Sequence, residues 1–200
     1  MMFRLLTTGL LTTAFIGATA AQAGEIPTDK GSVLVGGTIS FESSGGDLYD
    51  TNEVGRSTAF EISPSAGYFI APHILVGGTL SFTGNGQGDI STSGWGIGPK
   101  VQYYFGETAP DAQGKIFPFV GAGYQYNSAS SDDGIEETEE ISATTSEIQF
   151  GGGIAWMATS SVAFTAEIRY DIDSFNSGIE DVEAVSGNQI KLLFGLGGFI

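Results

Sequence analysis

From Val33 to Ile200 the chain repeats one pattern: runs of about ten residues alternate apolar with small or polar positions, and turn-rich sequence separates them. The first four runs are "VLVGGTISF" (33–41), "FEISPSAGYFI" (60–70), "ILVGGTLSF" (74–82) and "SGWGIGPKVQYYF" (93–105). Then come "IFPFVGAGYQY" (116–126), "EIQFGGGIAW" (147–156), "VAFTAEIRYDI" (162–172) and "QIKLLFGLGGFI" (189–200). In the seventh, Val162, Phe164, Ala166, Ile168, Tyr170 and Ile172 share one side. Successive side chains of a strand point to opposite faces, so alternation of this length predicts eight strands, each with one apolar face.

No residue on the aligned faces is charged, whereas the opposite faces carry Glu42, Glu61, Lys100, Glu147, Glu167, Arg169, Asp171 and Lys191. A soluble barrel buries its apolar face and shows charge outward; a membrane barrel does the reverse. Aromatic residues help to choose. On the apolar face they gather at one level as Phe41, Phe60, Phe82, Trp95, Tyr126 and Tyr170, and at another as Tyr68, Tyr103, Phe105, Trp156 and Phe164. Two such belts are what the two lipid–water interfaces favour.

Connection lengths point the same way. Those after odd runs are long (42–57, 84–93, 128–145, 173–188), while Ala71–His73 and Met157–Ser161 are short. "GETAPDAQGK" from Gly106 is the exception. The pattern predicts an all-β fold: an eight-stranded antiparallel up-and-down transmembrane β-barrel with four long outer loops and both termini periplasmic. Its rival, a soluble ligand-binding barrel, requires the apolar face to be sealed inside.

"GWGIGPK" (94–100) has the glycines and lysine of a phosphate loop, but no helical pattern follows, as such a loop requires. Lys100 is therefore an inward side chain on a strand, with Gly98 and Gln102 two residues to either side. Pro64, Pro99 and Pro118 also fall within runs. Each removes a ladder donor from a sheet without edges, so a bulge or a rim position is expected there.

Composition adds bounds. Met1-Met2-Phe3-Arg4, an apolar run from Leu5 to Ala18 and the end Ala21-Gln22-Ala23 describe a cleaved signal peptide (1–23), leaving 24–200 as the barrel domain. Removing Arg4 from the seven Lys and Arg leaves six bases against 23 acids. So acidic a chain repels nucleic acid, which is not an expected partner. The absence of cysteine excludes disulfides and thiolate metal sites, and no cofactor is expected.

Eight strands enclose only room for side chains. Glu61, Glu147 and Glu167 point there together with Lys100, Arg169 and Lys191. Left unpaired, each would cost on the order of several kcal/mol. An internal ion-pair and hydrogen-bond network that closes the lumen is expected; the competing expectation is a narrow pore whose charges select ions or small solutes.

The only histidine, His73, lies in the turn "APH". Catalysis would need an acid and a nucleophile beside it, so it is read as a turn residue, and neither a catalytic residue nor a metal site is expected. "SSDDGIEETEEISATTSE" places Asp132, Asp133, Glu136, Glu137, Glu139 and Glu140 in the third long loop. Such carboxylates could bind divalent cations or join those that bridge lipopolysaccharide, but their spacing does not fit the twelve-residue calcium loop. Solvated, mutually repelling charge is the plainer reading.

"SPSAGYFIAPHILVGG" (63–78), "IFPFVGAGYQY" (116–126), "AEIRYDI" (166–172) and the closing run resemble the small bacterial outer-membrane barrels of the OmpA transmembrane-domain, OmpX and opacity-protein type. The resemblance implies a monomeric outer-membrane protein with a structural, adhesin-like or host-interaction role, and in some members a small pore. It implies lipid, lipopolysaccharide, the barrel-assembly machinery and host or surface ligands as partners. Glu61, Lys100, Glu167 and Arg169 stand as counterparts of the OmpA-type lumen network. The layout is also similar to lipid A acyltransferase and deacylase barrels, but these work through histidine near the outer leaflet, and His73 is expected at the other end. Such barrels usually end in an outward aromatic; here Ile200 holds that place and Phe199 points inward. No peptidoglycan-binding domain follows, and no cell-wall tether is expected.

Overall fold

The computed structural model of the chain describes residues 28–44, 57–87, 90–106, 112–132, 141–176 and 185–200. The expected leader (1–23) lies outside them, as do Asp133, Glu136, Glu137, Glu139, Glu140 and the side chain of Asp132.

The strands are β1 (Val33–Ser44), β2 (Ser57–Ala71), β3 (Ile74–Gln87), β4 (Ile90–Tyr104), β5 (Ile116–Asp132), β6 (Ile141–Met157), β7 (Val162–Asn176) and β8 (Val185–Phe199). Each pairs antiparallel with its sequence neighbours, and β8 returns to β1, so the sheet closes into a barrel. "GWGIGPK" lies within β4. Partners lead from Leu34 through Gly67, Gly77, Lys100, Gly123, Gln149 and Asp171 to Gln189. Carrying the β1–β8 register onward from Gln189 meets β1 at Ser44, ten residues beyond Leu34. That stagger tilts the strands and sets a bore narrow enough for side chains to fill.

The alternation is resolved in favour of lipid. Ile168 is 61% exposed on the outside, and Ile62 and Val101 are exposed with it, whereas Arg169 inside is 8% exposed. A soluble barrel would show the reverse. Cross-strand partners build the belts: Phe41 faces Phe60 and Phe82 faces Trp95 at the long-loop end, and Trp156 stacks on Phe164 at 5.9 Å at the short-turn end. Phe150 and Phe194 lie between the belts, so aromatic residues are not confined to them. Ile168 sits within the apolar band, and Ile168→Lys should destabilise the barrel by roughly 2–4 kcal/mol in reversible unfolding from lipid vesicles. Ile168→Leu should change little.

Two expectations are corrected. The connection over 84–93 is not a long loop: Gln87 pairs with Ile90, leaving only 88–89 between the strands. The others shorten to 45–56, 133–140 and 177–184. Their flanks, such as "TGNGQ" and "TTSE", are polar on both sides yet continue the ladder, because beyond the belts a strand needs no apolar face. Nor do bulges absorb the prolines. Between β2 and β3 pairing lapses from Ile62↔Phe82 to Ser65↔Thr79, and between β4 and β5 from Ile97↔Tyr126 to Lys100↔Gly123; register is kept across both gaps. Pro64 and Pro99 each sit in one lapse. Pro118 does lie at a rim, where its carbonyl accepts from Phe105 N at 2.7 Å just past the end of β4.

Candidate functional site: the filled lumen

The inward positions stack in three levels. At the short-turn end, Phe69, Leu75, Met157 and Ala155 are wholly buried, and Leu34, Tyr104, Phe117, Phe119, Ala163 and Phe199 join them in one apolar cluster. Ring centroids lie 5.7 Å apart for Phe69–Tyr104, 5.3 Å for Tyr104–Phe119 and 6.3 Å for Phe69–Phe199. The chain before β1 closes this end from below, with Gly31 N donating to Phe69 O and His73 N to Thr28 O. Buried Ala112, from the connection between β4 and β5, adds to it.

Above this plug are two small adjoining cavities of about 40 and 50 Å³. Both are lined by Thr38, Ser65, Lys100, Gln102 and Glu167. Lys100 Nζ donates to Ser65 Oγ at 3.1 Å. Gln102 Oε1 is buried without a hydrogen-bond partner among the described residues. A void of this size and polarity suits one or a few waters.

The third level is ionic. Asp171, 0% exposed, receives Arg169 Nε at 3.0 Å and Lys191 Nζ at 3.2 Å. Glu61 faces the same two bases at 3.7 and 3.6 Å and accepts from Ser63 Oγ at 2.5 Å. Arg169 and Lys191 are direct cross-strand partners, a repulsive pairing unless acids lie between them. Two acids and two bases balance the cluster. Beside it an amide chain runs from Glu147 to Gln149 (3.0 Å), Gln125 (2.7 Å) and Ser81. Gly96 makes room for that chain, since a Cβ there would strike Asn127 Oδ1, Ser81 Oγ and Gln125 Nε2.

Of the six residues expected in a lumen network, the structure brings Glu61, Arg169 and Lys191 into direct ion pairs. Glu147 sits at the same level but bonds to Gln149. Lys100 and Glu167 lie one level lower, and among the described residues neither forms an ion pair. The member not foreseen is Asp171, the acid bound most closely to both bases. His73 is at the short-turn end, with φ of 69° and Nδ1 3.2 Å from Thr28 Oγ1. Among the described residues no group of three or more acids or histidines is placed to hold a metal ion.

The family model for the outer membrane protein beta-barrel domain matches residues 8–196. The chain belongs to that family. Its fold is that of solved small barrels. Neisserial surface protein A is 21% identical with a TM-score of 0.56, over 84% of this chain and 97% of that one. The N-terminal β-barrel domain of Pseudomonas aeruginosa OprF is 16% identical with a TM-score of 0.50, over 86% and 98%. No curated protein sequence matches the chain. Membership places the protein in the bacterial outer membrane, in contact with its lipids. The apolar lumen plug was not among the features expected, although the alternation gives it away. At the short-turn ends both parities turn apolar, in "YFI", "QYYF", "IFPF" and "AWM".

Proposed function

We propose that this barrel is a non-conducting structural and surface-interaction protein of the outer membrane, acting without catalysis through its acidic long loops. The short-turn end faces the periplasm on this reading, and lipopolysaccharide, the assembly machinery and host or surface ligands are its partners. The observation that carries the reading is the double obstruction of the lumen. A buried apolar plug lies in series with a cluster of ion-paired acids and bases, and the voids between them reach only about 50 Å³.

The test has two arms. In planar bilayers the purified barrel should show no steady conductance; a stable open level would favour the ion or small-solute pore instead. On cells displaying the protein, shortening 133–140 while keeping Asp132 and Ile141 should abolish attachment and leave the barrel folded. Attachment that survives this change would overturn the loop assignment. Deleting 128–145 would be a poorer test, because it cuts into β5 and β6.

A further inference from the structure

A closed barrel has one seam where its first and last strands meet, and here the seam is paired along only half its length. Six partner pairs join β1 to β8, from Leu34↔Phe199 to Ile39↔Phe194. By contrast, 12 join β1 to β2 and 14 join β7 to β8. Among the described residues, Ser40–Ser44 have partners on β2 but none on β8, and Val185–Leu193 have partners on β7 but none on β1. The outward side chains record the same lapse. Phe41 and Ile190, which lie on the two sides of the unpaired stretch, are the most exposed large apolar residues among those described, at 75% each.

The ionic cluster lies across this gap. Glu61 is on β2, opposite Ser40, the first β1 residue above the paired rungs. Lys191 is on β8, and Arg169 and Asp171 are on β7. The Glu61–Lys191 and Glu61–Arg169 pairs therefore pass behind β1 and tie its far neighbour to β8 and β7. The lapse begins just below the belt that Phe41 joins, where backbone groups still meet lipid and are costly to leave unpaired, so the seam needs another restraint at that level. Charge-assisted contacts from Glu61 supply one at that level.

We propose that the long-loop half of the β1–β8 seam is a lateral gate, latched from inside by Glu61 through Lys191 and Arg169. Its opening would join the lumen sideways to lipid at the level of the long-loop aromatic belt, whether or not the barrel conducts along its axis.

The chain has no cysteine, so engineered pairs report the seam cleanly. Were the register of the paired half to continue, position 41 would face position 192; both side chains point outward, away from the cluster. Phe41→Cys with Leu192→Cys probes the latched half; Ile39→Cys with Phe194→Cys probes the paired half. In folded protein, identified by its unboiled gel mobility, both pairs should oxidise to a bridge. Adding Glu61→Gln should slow bridging of 41 with 192 by about tenfold, the order by which losing one charge-assisted contact shifts a closed–open balance. Bridging of 39 with 194 should be unchanged. Lys191→Gln should act in the same direction and provides the test should Glu61→Gln not fold. The proposal fails if bridging of 41 with 192 ignores both substitutions, if both pairs slow equally, or if 41 and 192 do not bridge in the otherwise unaltered chain.

Discussion

Arg169→Met should lower the stability of the folded barrel by about 3–5 kcal/mol, because it leaves two buried carboxylates to share one ammonium. Arg169 holds Asp171 at 3.0 Å and Glu61 at 3.7 Å; without it, Lys191 alone faces both acids. Neither acid can turn to bulk water, since Asp171 is wholly buried and Glu61 nearly so. Equilibrium urea unfolding in lipid vesicles measures the loss, with the fluorescence of Trp95 and Trp156 reporting the barrel. Removing an acid along with the base tests the cause. Arg169→Met with Asp171→Leu restores one-to-one balance between Glu61 and Lys191, so the double variant should lose much less than the two single losses combined. A single-variant loss below about 1 kcal/mol would mean that water reaches the cluster and solvates the stranded charges.

The outward face was legible from sequence because lipid imposes one demand on every strand, and a two-residue period carries it without reference to any neighbour. Ile62, Val101 and Ile168 could be assigned one by one. The partners inside could not. Asp171 was visible as an inward acid, but which bases it meets depends on the height of each strand in the barrel. The ten-residue stagger sets those heights, and it exists only once β8 meets β1. Lys100 looked equivalent to Lys191 in the alternation, yet the stagger puts it below Glu61 and Asp171, beside Ser65. The strand ends at the long loops were misjudged for a different reason. Serine, threonine, asparagine and glycine in "TGNGQ" and "NSASSD" have the composition of loops, while the ladder they continue is held by backbone bonds that composition does not reveal.

The apolar plug makes the second large prediction. Phe69→Ala should cost about 3–5 kcal/mol, the range for emptying a buried aromatic site whose surroundings relax only in part. Phe69 is wholly buried between Tyr104 and Phe199, and those rings are themselves fixed by Phe119 and by the strands that carry them. Collapse into the space is therefore limited. Leu75→Met, at an equally buried position but nearly conserving volume, should cost less than about 1.5 kcal/mol. The contrast separates packing from generic sensitivity of the short-turn end. Conductance should stay absent in Phe69→Ala, because the ionic cluster lies in series above the plug and retains all four contacts. A steady current in this variant would show that the cluster is no barrier and that the plug alone closes the lumen. A cost below about 1 kcal/mol would show the rings to be bathed in water already, and the lumen would then be open at the end where it is described as dry.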